Sequence, residues 1–293
     1  MDVLLTGGSG QVGQALQRQA PAGWSLHAPA HGELDISNAD QVAALLASRP
    51  WGLVVNAAAY TAVDRAQTDI AAAWRINALG PAILSAEAAR QAVPLVHLST
   101  DYVFAGDKVG AYLEDDPVAP ANVYGASKEG GEQAVRTAGG RYVILRTAWV
   151  ISPDGNNFAK TMLRLAADRP VLRVVDDQRG CPTSADDIAA AVAIIGERLV
   201  AEAPPTGTYH FVNAGEATWK DLAETVLAVA SDLGVARARV EAITTADYPT
   251  PAKRPMNSVL STAKIQADFG IQPRPWRLAA EEVVQALLTN RET

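Results

Sequence analysis

The chain has 293 residues, 48% of them apolar and 19% charged, a balance typical of a globular protein with one or two domains and a substantial core. Its net charge of −7 argues against nucleic acid or an anionic membrane as a partner, because both attract basic surfaces. The single cysteine, Cys181, excludes an intrachain disulfide and a cysteine-based zinc site. The four histidines lack a metal-binding spacing, so we predict no metal site.

The first residues, MDVLLTGG, enter structure without the basic region and cleavage pattern of an export signal. No apolar run approaches the ~20 residues that a membrane span needs. We therefore expect a cytoplasmic protein with no membrane partner.

In the first 150 residues, short apolar or β-branched runs alternate with longer helical patterns. We predict strands at Val3–Thr6, Trp24–Ala28, Leu53–Asn56, Leu95–Ser99 and Tyr142–Thr147, with a short additional strand at Asp35. We predict helices at Gln11–Gln19, Ala39–Ser48, Ile70–Gln91 and Tyr124–Arg136. Strands that are apolar on both faces and separated by helices indicate an α/β fold, a Rossmann-type doubly wound parallel sheet.

Loops rich in proline and glycine interrupt the second half of the chain. Helical patterns lie between them, at Phe158–Ala167, Ser184–Val200, Thr218–Leu233 and Ala279–Leu288. Short elements joined by such loops suit a smaller lobe whose loops line a cleft. We predict a dinucleotide-binding domain at 1–150, to which about 171–200 returns, and a substrate-binding lobe formed mainly by 151–293.

A glycine cluster, TGGSGQVG at 6–13, separates the first predicted strand from the first helix. Gly7, Gly10 and Gly13 stand at every third position, and Gly8 begins a G-x-G-x-x-G pattern. Such a turn needs a positive φ, lets the backbone approach a pyrophosphate and packs the helix tightly on its strand. The free N–H groups of the helix then bind phosphates. We predict a dinucleotide here; the alternative is a glycine-rich turn without a ligand.

The preference between NADH and NADPH stays open. An acid about 20 residues after the glycine turn would bind the 2′-hydroxyl of NAD. Residues 28–30 instead read Ala-Pro-Ala, and the nearest acids, Glu33 and Asp35, come later. No arginine stands there to mark a 2′-phosphate, although Arg18 and His27 could contribute.

A tyrosine and a lysine lie four residues apart in NVYGASKEGGE, residues 122–132. At that spacing Tyr124 and Lys128 share one face of a helix, with Cβ atoms ~5–6 Å apart. A cation held near a phenol favours the phenolate and lowers its pKa from ~10. Gly130 and Gly131 each cost about 1 kcal/mol inside a helix relative to alanine, which predicts close packing against a neighbouring element.

Two further motifs, NAAAY at 56–60 and STDYVF at 99–104, fall between the glycine cluster and YGASK. With these motifs in this order, the chain resembles the extended short-chain dehydrogenase/reductase family. GQVG, NAAAYTAVD, STDYVF, YGASKEGGE, RTAWV, DDQRGCPT and RPMNS are similar to its dTDP-4-dehydrorhamnose reductase branch over residues 1 to about 265. The resemblance implies reduction of the C4 keto group of dTDP-4-dehydro-L-rhamnose to dTDP-L-rhamnose, with hydride from NADPH or NADH.

The resemblance also implies roles for individual residues. Tyr124 would protonate the ketone oxygen, Lys128 would bind the nicotinamide ribose and lower the tyrosine pKa, and Thr100 would hydrogen-bond the same oxygen. The implied cofactor contacts are Gly7, Gly10, Gln11, Val12, Asp35, Ile36, Ala59, Tyr60, Thr61, Ser99, Tyr124 and Lys128. The implied substrate contacts are Val63, Thr100, Asp101, Tyr102 and Trp149. The alternatives are a core role for Trp149, a turn role for Asp101 and a packing role for Tyr60.

Two loops of the second half carry basic residues in an otherwise acidic protein. KRPMNS at 253–258 contains Lys253 and Arg254, and DDQRGCPT at 176–183 contains Arg179. We predict that these loops hold the nucleotide half of the substrate, with Arg254 near its pyrophosphate. The alternative is that they form salt bridges between the lobes.

Some members of this branch form dimers bridged by magnesium through an acidic residue after the glycine motif. Gln14 and Ala15 stand there, so we expect a monomer or a homodimer without such a bridge. Two other functions stay open. One is a reductase that acts on another 4-keto-6-deoxy nucleotide sugar or yields the other C4 epimer, and the other is a non-catalytic regulatory subunit similar to the β subunit of methionine adenosyltransferase.

Overall fold

The computed structural model of the chain describes residues 1–235 and 238–289. The strands in chain order are β1 (Asp2–Thr6), β2 (Ser25–His27), β3 (Leu53–Asn56), β4 (Leu95–Thr100), β5 (Tyr142–Thr147), β6 (Val150–Ile151), β7 (Val171–Val175), β8 (Arg179–Gly180), β9 (Thr183–Ser184), β10 (Gly207–His210), β11 (Ala217–Thr218) and β12 (Arg239–Ile243). The helices are α1 (Gln11–Gln19), α2 (Ala39–Ala47), α3 (Val63–Ala66), α4 (Ile70–Trp74), α5 (Gly80–Arg90), α6 (Val123–Thr137), α7 (Phe158–Asp168), α8 (Ala185–Leu199), α9 (Trp219–Asp232), α10 (Ala263–Phe269) and α11 (Trp276–Thr289).

A parallel sheet of six strands forms the centre of the molecule, in the order β2-β1-β3-β4-β5-β10. Its inner strands are buried on both faces, as their continuous apolar runs predict. The chain leaves β1 for β2 on one side and returns to β3 on the other. The order therefore reverses between β1 and β3, and ligands of such sheets bind outside the carboxyl ends of the strands at this point.

The predicted fold class and the five main strands of the first half are confirmed, but the short strand at Asp35 is wrong. Glu33 and Leu34 donate their backbone N–H groups to the carbonyl of Ala30, and Asn38 donates to that of Asp35. Because these groups close local turns, they do not form a ladder with a neighbouring strand.

The predicted helix Ile70–Gln91 is continuous but changes its winding. Between α4 and α5 lies a π-helical segment, Arg75–Leu79, which contains the fully buried Asn77. Helix α6 packs against this segment. A Cβ on Gly131 would overlap the carbonyl oxygen of Asn77, and one on Gly130 would lie 2.8 Å from the ring of Trp74. The close packing that the two glycines predict is therefore confirmed.

Separate apolar clusters cover the two faces of the sheet. Helices α1 and α8 pack on one face, and α2, α5 and α6 pack on the other. A further cluster unites α7, α9, α11 and β7, away from the sheet. The division into domains at residue 150 stays a prediction, and its second part includes residues 236–237 and 290–293, which lie outside the described residues. Within the described ranges, no helix is long and apolar enough to cross a membrane.

Candidate active site

The glycine turn lies at the point where the strand order reverses. Gly7 has a φ of +76°, and a Cβ there would lie 2.5 Å from the carbonyl carbon of Ala57, in the loop after β3. A Cβ on Gly13 would overlap the carbonyl oxygen of Gly7, so α1 lies directly on the turn. Gly10 caps α1, leaving the first N–H groups of the helix available to a phosphate. This glycine cradle fits a dinucleotide.

The predicted cofactor residues of α1 differ in what their side chains reach. The side chain of Val12 is buried in the core beneath the sheet, so only its backbone can meet a ligand. Gln11 accepts a hydrogen bond of 3.0 Å from Asn157, the residue that caps α7. The amino end of α1 is thereby joined to the second half of the chain.

Asp35 and Ile36 lie beside the sheet edge in a structured turn. Asp35 accepts hydrogen bonds from the backbone and hydroxyl of Ser37, which lower the pKa of its carboxyl, and it pairs with Arg75 at 3.2 Å. Ile36 is buried, and a Cβ on Gly80 would contact it. Arg75 was not predicted from sequence, and nothing in its helical context marks it.

Asn77 connects the loop after β3 to α6. Its side chain accepts from the backbone of Tyr60 at 2.8 Å and donates to the carbonyl of Tyr60 at 3.1 Å and to the hydroxyl of Ser127 at 3.0 Å. Ser127 in turn donates to the carbonyl of Tyr124. The hydroxyl of Tyr60 donates to Asp69, while Ala59 is partly buried and Thr61 is exposed. The sequence analysis missed Asn77, whose one signal was a poor helix former inside a long helix.

Thr100, Tyr124 and Lys128 meet at the carboxyl end of β4. Lys128 is 3% exposed and donates from Nζ to the carbonyl of Leu98 at 2.7 Å, and burial lowers its pKa to about 8. Burial raises the pKa of Tyr124 above its ordinary value, against the effect of a hydrogen bond with Thr100. The net direction is therefore opposite to the lowering expected from Lys128, whose own effect on the phenol stays a prediction.

Asp101 and Tyr102 continue from Thr100 into the same corner. Asp101 is 2% exposed and accepts from the hydroxyl of Thr100 at 2.9 Å, while its other oxygen has no partner. Burial raises its pKa to about 6, against the opposing effect of the nearby hydroxyls of Ser258 and Thr100. The ring of Tyr102 meets that of Tyr124 edge to face at 5.5 Å. Ser258, in the predicted RPMNS loop, was missed as a neighbour of this carboxyl.

Ser99 points away from the glycine turn. Its hydroxyl donates to the buried carboxylate of Glu132 at 2.5 Å, on the face of the sheet that α6 covers. Thr147, which lies beside Thr100 in the register of β4 and β5, has a buried hydroxyl without a partner. The sequence analysis did not single out Thr147.

Arg254 joins the two halves of the chain beside Tyr102. Its Nη2 pairs with Asp64 at 2.7 Å, next to Val63 at the start of α3, while its buried Nη1 has no partner. Asp64 also accepts from the backbone of Ala252 at 3.1 Å. The salt bridge that we gave as the alternative is present, and a role of Arg254 at the pyrophosphate stays a prediction. Arg179 of the second basic loop pairs with Glu216.

Trp149 is held in an unusual conformation after β5. Its φ is +46°, a left-handed value that is rare for a bulky residue and points to a functional constraint. Its ring stacks on Trp219 with the ring centroids 3.6 Å apart and an interplanar angle of 5°, and a Cβ on Gly180 would overlap the ring atoms of Trp149. Trp219 donates to Gln178 at 3.0 Å. The half-buried ring therefore has a fixed position rather than an ordinary place in the core.

These side chains suit hydride transfer to a ketone. The glycine cradle can hold the phosphates of a dinucleotide, and the strand ends carry a protonated phenol, two hydroxyls and a cation. A ketone between Thr100 and Tyr124 would meet an acid and, once the Thr100 hydroxyl turns to it from Asp101, a hydrogen-bond donor.

Comparisons with known proteins agree with this geometry. Residues 1–289 match the family model described as RmlD substrate binding domain. The dTDP-4-dehydrorhamnose reductase of Aggregatibacter actinomycetemcomitans is 43% identical, covering 96% of this chain and 97% of the relative. A Streptomyces antibioticus protein named "Probable dTDP-4,6-dihydroxy-2-methyloxan-3-one 4-ketoreductase" is 42% identical, covering 97% and 95%. The crystal structure of the Bacillus anthracis dTDP-4-dehydrorhamnose reductase in complex with NADP has a TM-score of 0.90 and 33% identity, covering 96% of this chain and 98% of that one.

Proposed function

The chain belongs to the dTDP-4-dehydrorhamnose reductases, NAD(P)H-dependent oxidoreductases, and we propose that it reduces the C4 ketone of dTDP-4-dehydro-L-rhamnose with Tyr124 as the proton donor. Bound dihydronicotinamide supplies the hydride to C4. The phenolic proton of Tyr124 passes to the ketone oxygen, giving the C4 hydroxyl of dTDP-L-rhamnose and a phenolate. The observation that carries this assignment is the position of the Tyr124 phenol on α6, at the end of β4 beside Thr100, one helical turn before the buried Lys128.

Two other groups support the proton transfer. The hydroxyl of Thr100 would hydrogen-bond the same ketone oxygen, stabilising the charge that develops there. Lys128, four residues after Tyr124 on the same helix, would bind the nicotinamide ribose and stabilise the phenolate that proton donation leaves.

The rest of the substrate would lie along the second half of the chain. We propose Trp149 and Val63 as walls of the sugar pocket, Asp101 and Tyr102 as polar contacts, and Arg254 as a ligand of the diphosphate. Support comes from the fixed ring of Trp149 and from the unpartnered Nη1 of Arg254. The cofactor would be held by Gly7, Gly10 and the first turn of α1, together with Asp35, Ile36, Ala59, Tyr60 and Thr61.

The test is turnover with a defined substrate. Purified protein is mixed with dTDP-4-dehydrorhamnose and NADPH or NADH, oxidation is followed by absorbance, and the sugar product is identified by NMR. Tyr124→Phe should lower kcat by about 10²- to 10⁴-fold, because it removes the acid, while NADPH binding measured by fluorescence stays unchanged. Turnover by Tyr124→Phe at the wild-type rate would show that another group donates the proton.

A second substrate is favoured by one comparison. Since the Streptomyces antibioticus 4-ketoreductase is 42% identical over most of both chains, another dTDP-linked 4-keto sugar is the alternative substrate. The same assay separates the two, since kcat/KM for the preferred sugar should exceed that for the other. We also propose a cytoplasmic monomer or homodimer, which cell fractionation and light scattering would test.

A further inference from the structure

A third ionisable side chain shares the helix face of Tyr124 and Lys128. Glu132 follows Lys128 by four residues, as Lys128 follows Tyr124, so the three project from one side of α6. Its side chain is 0% exposed. None of the roles proposed above involves Glu132.

The carboxylate of Glu132 joins three elements. Arg146 of β5 donates from Nε at 2.9 Å and from Nη2 at 2.7 Å, one bond to each oxygen. Ser99 of β4 donates to the first oxygen, and Arg136 of α6 pairs with the second. A buried ion pair is weak evidence of stabilisation, because desolvation offsets the attraction between the charges. The pair therefore calls for a reason other than stability.

The position of Ser99 supplies one reason. Ser99 directly precedes Thr100, and the helix that carries Glu132 also carries Tyr124 and Lys128. The hydrogen bond from Ser99 to Glu132 thus fixes the end of β4 against α6. It sets the separation of the hydroxyl and the phenol that would share the ketone oxygen.

The charge of Glu132 supplies a second reason. Burial lowers the pKa of Lys128 to about 8, and the nearby carboxylate of Glu132 opposes that effect. Two other titratable groups lie near Lys128. Burial lowers the pKa of His97 of β4 far below its ordinary value, and burial raises that of the Tyr124 phenol, so both favour their neutral forms. The cations that face Glu132 are Arg146 of β5 and Arg136 of α6.

We propose that Glu132 is a positioning residue of the reaction, which holds the end of β4 against α6 through Ser99 and keeps Lys128 cationic. The inference rests on the proposed function only where turnover is measured, since the NMR titration needs no substrate. Different substitutions test its two parts, the hydrogen bond from Ser99 to Glu132 and the effect of the Glu132 charge on Lys128.

The charge is tested with Glu132→Gln/Arg146→Met in the full-length protein. The double change leaves no unpaired buried charge and keeps an oxygen to accept from Ser99, so folding should survive. Lysines labelled with ¹³C are titrated by NMR, with Lys128→Met assigning one of the six signals. The midpoint of Lys128 should fall by about one unit, the usual size of such an interaction. An unchanged midpoint would overturn the proposal, and this readout needs no turnover.

The hydrogen bond from Ser99 to Glu132 is tested with Ser99→Ala, which keeps the ion pair between Glu132 and Arg146. This variant also provides a test if the double variant does not fold. Its kcat should fall about tenfold, because a small misplacement of reacting groups is costly, with NADPH affinity and the Lys128 midpoint unchanged. An unchanged kcat, or a loss of NADPH affinity instead, would overturn this role of the hydrogen bond. Glu87→Gln/Arg90→Met removes a surface pair from α5 as the matched control. Inactivity of the wild-type protein would refute the proposed function and leave the NMR result standing.

Discussion

At the scale of single residues, the buried carboxyl of Asp101 links stability to pH. Burial raises its pKa from 3.8 to about 6, so folding favours the protonated form. The associated stability is fully present below pH 3.8 and is lost as the pH rises through 6. Above that window the ionised group destabilises the fold by roughly 3 kcal/mol, at about 1.4 kcal/mol for each pKa unit.

Asp101→Asn removes this penalty. The variant should be more stable than wild type by roughly 2–3 kcal/mol at pH 8 and nearly equal at pH 4, because the amide stays neutral and still accepts from Thr100. Urea unfolding at several pH values measures the difference. Asp115→Asn, which removes an exposed carboxylate nearby, is the control. A difference that does not change with pH would contradict a raised pKa for Asp101.

Residues were predictable from sequence where a local motif specifies their position. Gly7 and the pairing of Tyr124 with Lys128 follow from a turn and a helical spacing, which are short-range properties, whereas the role of Thr100 came from the family resemblance. Asn77 and Ser258 act through contacts between segments distant in the chain, and no local pattern marks such contacts. The net direction of the Tyr124 pKa was not predicted for the same reason, since it depends on burial by several elements.

At the scale of elements, the contact between α6 and the π-helical segment sets where Tyr124 and Lys128 lie. The sequence predicted that α6 packs closely, because two adjacent glycines destabilise a helix unless a neighbouring element needs the space. It did not predict the π winding of Arg75–Leu79, since the apolar pattern of 70–91 suits an ordinary helix. The winding is set by tertiary packing around Asn77.

Gly131→Ala tests this contact. Its Cβ would overlap the backbone oxygen of Asn77, which cannot move freely, so α6 must shift. Overpacking costs about 1–3 kcal/mol and exceeds the gain of up to 1 kcal/mol in helix propensity, so stability and kcat should both fall. Gly130→Ala is the matched control, because its Cβ meets the half-exposed ring of Trp74, which can adjust. Urea unfolding and turnover of both variants give the comparison, and equal losses would contradict this account.

At the scale of the whole molecule, the chain crosses repeatedly between the six-stranded sheet and the apolar cluster formed by α7, α9, α11 and β7. Residues 207–210 return to supply the last strand of the sheet, whereas α9 and α11 pack with α7. The sequence predicted a return over about 171–200 but not β10, whose four residues resemble any short loop segment. Long-range pairing of this kind depends on the sheet edge that β5 offers, which no local pattern records.

The salt bridge between Arg254 and Asp64 joins the two halves of the chain at the proposed substrate site. If Arg254 binds the diphosphate, Arg254→Ala should raise KM for the sugar nucleotide about 10- to 100-fold, the value of a charge-assisted hydrogen bond, and leave NADPH affinity unchanged. Asp64→Ala is the decisive partner variant. It frees the guanidinium without removing it, so KM should stay the same or fall. If the arginine only joins the two halves of the chain, both variants lose the same bridge and KM should rise equally in each.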